Sequence, residues 1–163
     1  MEELERARAD AREVERLNAG MRYTPSPGSV VNATWRYTRT LVDPAGGLTT
    51  LKQIDLSAQW PVSARWSLIG RWNYSLPDHK TLEAVAGIEY NADCWVLRVV
   101  GQRLTTTTQQ ATTSVFVQLE FSGLARVGTS PLELLRRSVP GYVPSNSPLL
   151  RERDQRFGPL PEF

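Results

Sequence analysis

The sequence predicts an all-β chain, an antiparallel meander of about six to seven strands, each long enough to cross a bilayer. Three observations lead there. Apolar residues recur at every second position in runs of about ten residues. Aromatic residues sit at both ends of those runs, and the connections between runs alternate short and long.

The runs occupy residues 14–24 (the weakest), 30–39, 51–60, 65–76, 81–90, 94–104 and 113–122. Their period of two is read directly. Ile54, Leu56, Ala58 and Trp60 interleave with Gln53, Asp55, Ser57 and Gln59. Trp66, Leu68, Gly70, Trp72 and Tyr74 interleave with Ser67, Ile69, Arg71, Asn73 and Ser75, and Val115, Val117, Leu119 and Phe121 with Phe116, Gln118 and Glu120. A helical period of 3.6 fits none of them. About ten residues is the length a tilted strand needs to span the hydrocarbon layer.

Alternation alone also fits a soluble sandwich with one wetted face. The aromatic positions decide between the two. Trp60, Trp66 and Trp95 lie beside one set of turns, and Trp72 with Tyr74 lies near the opposite ends, as interfacial girdles on a lipid-facing surface require. The connections at 25–29, 61–64 and 91–93 are short, whereas those at 41–50, 77–80 and 105–112 are longer; in outer-membrane barrels the short turns are periplasmic and the longer loops external. On this reading Asp55, Arg71, Asn73, Glu89, Arg98 and Glu120, all in the polar phase, line a wet lumen. Leu68, Ile88, Leu97 and Leu119 belong with Ile54, Leu56, Trp72 and Leu82 on the lipid side. The meander is then part of a large outer-membrane barrel, and by itself an open sheet with two unpaired edges.

Composition agrees. Apolar residues make up 40% of the 163, yet there are five Trp and five Tyr. No run of eighteen apolar residues occurs, which excludes a transmembrane helix but not strands whose two faces average out. The net charge of +2 is small and the basic residues are dispersed, so nothing points to nucleic acid. His79 stands among turn formers in Pro77-Asp78-His79-Lys80, and Cys94 is the one cysteine. One of each makes neither a metal cluster nor a convincing Cys/His pair, and no P-loop, G-x-S-x-G or G-x-G-x-x-G is present. The sequence therefore argues against an enzyme, a cofactor or a metal site.

Residues 1–13 form a charged, helix-compatible Glu/Arg/Ala stretch with no apolar core and no small-residue cleavage site, hence no signal peptide. The expectation is a chain cut from a longer precursor or started at a spurious site. The barrel strands take up 14–123. Residues 124–163 read as a periplasmic segment, one short helical turn at 131–138 and then an irregular proline-rich tail.

Several strings go further. RYTPSPGSVVNATWRYTR, LKQIDLSAQWPVSARWSLIGRWNYSL, LEAVAGIEYNADCWVLRVVGQR and VFVQLEFSGLARVGTSPLELLRRSVPGY resemble, in order, the C-terminal barrel region of the LptD family (OstA/Imp), covering residues 16–142, most of the chain. The resemblance implies a share of the outer-membrane translocon of Gram-negative bacteria that inserts lipopolysaccharide into the outer leaflet. It implies as partners lipopolysaccharide, an LptE-like lipoprotein plug, the outer-membrane bilayer and, through a periplasmic jellyroll outside this chain, the Lpt bridge. Many members carry two adjacent cysteines after G-I-E-Y; here the pair is Asp93-Cys94. The resemblance thus makes Cys94 half of a disulfide whose partner lies in the N-terminal region outside this chain, whereas an unpaired thiol beside Trp95 remains the alternative. Residues 1–13 have no counterpart in the resemblance. The competing functional reading is a small outer-membrane barrel or sheet that serves as an adhesion or binding module.

Overall fold

A computed structural model describes residues 16–42, 48–105, 110–121 and 125–150, together with 156 and 158. The charged N-terminus and the end of the proline-rich tail lie outside the described residues. Eight strands form one sheet in sequence order: β1 (Arg16–Ser26), β2 (Ser29–Val42), β3 (Leu48–Pro61), β4 (Trp66–Ser75), β5 (Lys80–Asn91), β6 (Trp95–Thr105), β7 (Ala111–Phe121) and the short β8 (Ala125–Gly128). Every neighbouring pair is antiparallel. The sheet is open, with β1 and β8 as its edges.

Seven strands of ten to fourteen residues match the seven alternating runs. The eighth, of four residues, pairs Phe121 with Ala125 and Gln118 with Gly128, and is too short to show a period. The strands also run past the point where apolar alternation fades. The connections shrink to two, four and three residues at one end (27–28, 62–65, 92–94) and to five, four and five at the other (43–47, 76–79, 106–110). Backbone pairing continues there because the Thr-rich ends keep β-propensity without supplying an apolar face.

The register separates the two predicted sets of side chains. Leu56 faces Trp72, Trp60 faces Leu68, Leu68 faces Ile88, and Leu97 faces Leu119. Asp55 faces Asn73, Ser67 faces Glu89, and Glu89 faces Arg98. Leu82 is the exception: it falls in a bulge where Asn73 pairs with Glu83 and Tyr74 with Thr81. A bulge of this kind leaves the extra residue out of the ladder.

The apolar face is open along its length: Met21, Trp35, Leu56, Trp60, Leu68, Trp72, Ile88, Val115 and Val117 are all exposed. The polar face is covered over the half nearest the shorter turns. Helix α1 (Leu132–Ser138) and the chain to Leu150 lie across it, and the molecule's core forms there. Leu134, Leu135, Val139 and Tyr142 pack on Val30, Ile69, Val85 and Val100. Seven residues cannot sustain a helix alone, so burial of Leu135 holds it in place. Glu133 in its first turn and Arg136 and Arg137 in its last complement the helix dipole. Gly141, at φ 90°, reverses the chain over Val30 just after the helix. The tail read as irregular is thus a packed strap, and it turns helical again at Pro148–Leu150.

The unpaired β1 edge and the exposed apolar face lead to a first prediction. In size-exclusion chromatography the chain elutes as large aggregates from water and as one defined peak in detergent micelles. A sharp detergent-free monomer would contradict the exposed apolar face.

Candidate functional site: the strapped polar face

Two charge clusters organise the polar face. In the first, Arg71 on β4 holds Asp55 on β3 through both carboxylate oxygens (Nε–Oδ1 3.0 Å, Nη2–Oδ2 2.6 Å). Its remaining nitrogen reaches Glu83 on β5 at 3.0 Å, and Gln102 on β6 donates to the other Glu83 oxygen at 2.7 Å. The paired fork is the geometry in which Arg binds a carboxylate most firmly.

The second cluster is drier. Arg98 and Glu89 are both fully buried. Arg98 donates to Glu120 at 2.6 Å and to Asn146 at 3.0 Å, and its Nε faces Glu89 at 3.5 Å. Glu120 also accepts from Arg126 of β8 at 3.1 Å. Glu89 is completed by the strap: the Tyr142 hydroxyl donates to one oxygen and the Ser145 amide, at 3.0 Å, to the other. Burial, with the Glu89 carboxylate beside it, pushes the Tyr142 hydroxyl above the usual phenol range, so it stays a donor.

Further contacts lace the strap to successive strands. Asn32 on β2 donates to the Pro140 carbonyl at 3.0 Å. Gln59 on β3 pairs its amide with Val143 in both directions, at 2.7 and 2.9 Å. Asn91 at the end of β5 donates to the Ser145 carbonyl at 2.7 Å. All lie near the ends that carry the shorter turns.

Of the polar residues singled out, Asp55 and Arg71 meet in the first cluster and Glu89, Arg98 and Glu120 in the second, while Asn73 stands opposite both Asp55 and Glu83. Sequence reasoning missed Asn32, Gln59, Asn91 and the strap's Tyr142, Ser145 and Asn146. A signal was present: Ile69, Val85, Val100 and Phe116 are apolar residues in the otherwise polar phase, and they are the ones the helix covers.

The aromatic residues form two rows on the apolar face. Trp66, Tyr90 and Trp95 stack in sequence beside the short turns (centroids 4.7 and 5.3 Å apart), and Trp60 belongs to that end. Trp72 with Tyr74 (5.2 Å) and Trp35 with Tyr37 (6.2 Å) mark the other. The six residues from Trp66 to Trp72 and the eight to Tyr74 put the rows roughly 20–26 Å apart along the strand.

Cys94 is exposed on the β5–β6 turn. Asp93 takes the left-handed conformation (φ 64°), its amide held by Asn91 Oδ1 at 2.9 Å, and the Cys94 amide donates to Ala92 O at 2.7 Å. His79 sits on the β4–β5 turn, so the whole of β5 separates the two, and they cannot act together. Among the described residues no cluster of His, Cys, Asp and Glu has metal-binding spacing.

No family model matches the chain. Its curated relatives are LPS-assembly proteins LptD, in line with the motif resemblance. The chain is 46% identical to that of Nitrosomonas eutropha over 130 residues, which is 80% of this chain and 17% of the relative. It is 46% identical to that of Thiobacillus denitrificans over 133 residues (82% and 17%) and 47% identical to that of Nitrosospira multiformis over 131 residues (80% and 13%). The chain spans between about an eighth and a sixth of the length of these relatives.

The site yields a second prediction. Arg98→Met leaves Glu89 buried without a cation, while Glu120 keeps only Arg126, and destabilises the fold by about 3–5 kcal/mol, read as a lowered urea midpoint in micelles. An unchanged midpoint would mean that the cluster does not hold the strap.

Proposed function

We propose, from the likeness to LPS-assembly proteins LptD, that this chain supplies the C-terminal strands of an outer-membrane barrel that places lipopolysaccharide in the outer leaflet. The observation that carries the reading is the segregation of the two faces: an open apolar surface framed by aromatic rows on one side, and a polar, strap-covered surface on the other. Only a medium of low polarity makes the first surface favourable without a protein partner. Described strands span, and no described helix is long and apolar enough to do so. The strands continue at the β1 edge into the rest of the barrel, where Asp55, Arg71, Asn73, Glu89, Arg98 and Glu120 face the lumen. Trp60, Trp66, Trp72, Tyr74 and Trp95 lie at the two membrane–water interfaces. The partners are then lipopolysaccharide, an LptE-like plug in the lumen, and the periplasmic Lpt bridge reached through a jellyroll. In this role the barrel is a conduit and performs no bond chemistry.

Cys94 fits a structural disulfide with a periplasmic part of the whole protein. Its thiol is exposed on a short turn, and disulfides persist in that compartment.

Two measurements test this reading. In bilayers with brominated acyl chains all five tryptophans are quenched; moreover, Ala86→Arg, level with Gly70 between the aromatic rows, costs about 2–4 kcal/mol, against about 0–1 kcal/mol for Val62→Arg beyond them. Unquenched tryptophan emission would remove the membrane assignment. On non-reducing electrophoresis of the full-length protein, Cys94→Ser abolishes a mobility shift present in wild type. Identical mobilities, with normal lipopolysaccharide at the cell surface, would sink the disulfide role.

A further inference from the structure

Between the strap and strands β2–β4 lies a cavity of about 130 Å³, with Arg36, Asp55, Arg71, Arg137 and Ser138 in its lining. Its charges do not cancel. Asp55 and Glu83 have both oxygens occupied, by Arg71 and, for Glu83, by Gln102 as well. Arg36 and Arg137 have no ion pair or hydrogen bond among the described residues. Three guanidinium groups therefore line the cavity against one carboxylate, Asp55, which Arg71 already engages. Ser138 supplies an independent sign of a missing partner: it is 1% exposed, and its Oγ has no hydrogen-bond partner. A buried hydroxyl without a partner is costly, and an acceptor in the cavity would lift that penalty. The alcohols of Thr34 and Ser57 and the amide of Asn32 add neutral polar groups around the same space.

We propose that this cavity binds a phosphoryl anion, with Arg36 and Arg137 as its charged ligands and Ser138 as a hydroxyl donor. The forked guanidinium matches the tetrahedral oxygens of a phosphate, and two such groups from different elements enclose it more completely than either alone. Arg137 and Ser138 come from the L-R-R-S stretch, so the site exists only when the strap is docked. Arg136, the other arginine of that stretch, points elsewhere and pairs with Glu133 at 3.7 Å. The inference goes beyond the lipopolysaccharide reading, because bare phosphate tests the cavity whether or not that reading holds.

The test uses the full chain in non-ionic micelles and ³¹P line broadening on titration with inorganic phosphate. Parallel arms use a phosphorylated glycolipid and its dephosphorylated counterpart. Saturable binding is expected, weakened roughly tenfold or more by Arg36→Ala with Arg137→Ala, the loss of two charge-assisted contacts. It should stay within about twofold in Arg136→Ala and largely return in Arg36→Lys with Arg137→Lys, which retains the charge and guards against misfolding. Binding of inorganic phosphate assigns the site to the free ion. Binding of the phosphorylated glycolipid alone assigns it to a lipid-borne phosphate. Absence of saturable binding in both phosphate arms, or equal binding by the double alanine variant, would overturn the proposal.

Discussion

Glu89 and Arg98 stand directly opposite each other on β5 and β6, and water reaches neither. Two opposite charges in a dry interior do not stabilise a fold merely by being near each other, because desolvation costs several kcal/mol per ion. The pair is tolerable here because most of its remaining hydrogen-bonding capacity is met by the strap and by Glu120; Arg98 Nε alone faces Glu89 without a hydrogen bond. Tyr142 and Ser145 complete the carboxylate, Asn146 accepts from the guanidinium, and Glu120 supplies the second counter-charge. The strap and the buried charges are therefore mutually dependent. Without the strap the charges would lack partners, and without the charges the strap would keep only the patch under Leu135 and the amide contacts of Asn32, Gln59 and Asn91.

That dependence explains why the two faces of one sheet differ so much. The apolar face needs no complement from this chain; the polar face, once covered, needs a specific one. Ile69, Val85, Val100 and Phe116 interrupt the polar phase where α1 lands, so the cover is part hydrophobic and part ionic. A helix of about two turns suffices because the sheet offers a prepared apolar recess with polar partners on its flank.

Most of the sheet was legible because a period of two survives in ten-residue runs and short connections force neighbours to pair. The face assignments of Asp55, Arg71, Glu89, Arg98 and Glu120 followed from parity alone. What escaped reading has physical reasons. β8 has four residues, too few for a pattern, and Leu82 lies at a bulge that periodicity does not announce. The strap is held by side-chain amides reaching backbone groups of a proline-containing segment, and such pairs leave no periodic trace. Local composition at 140–146 reads as loop, and only the three-dimensional position of Asn32, Gln59 and Asn91 makes it structure.

The lacing of the strap has a consequence for how the strands find one another. A slip of one residue between neighbouring strands turns every side chain to the wrong face and is forbidden by hydrophobicity. A slip of two residues is not: both faces keep their character, and alternation alone accepts it. Such a slip, however, moves one strand along its neighbour by about 7 Å, more than twice the length of a hydrogen bond. Asn32, Gln59, Glu89 and Asn91 must stand in step for one short segment to touch them all, across chain separations of 54 to 108 residues. The strap thus works as a gauge laid across finished strands, accepting one alignment among several that the sheet by itself would treat as equivalent.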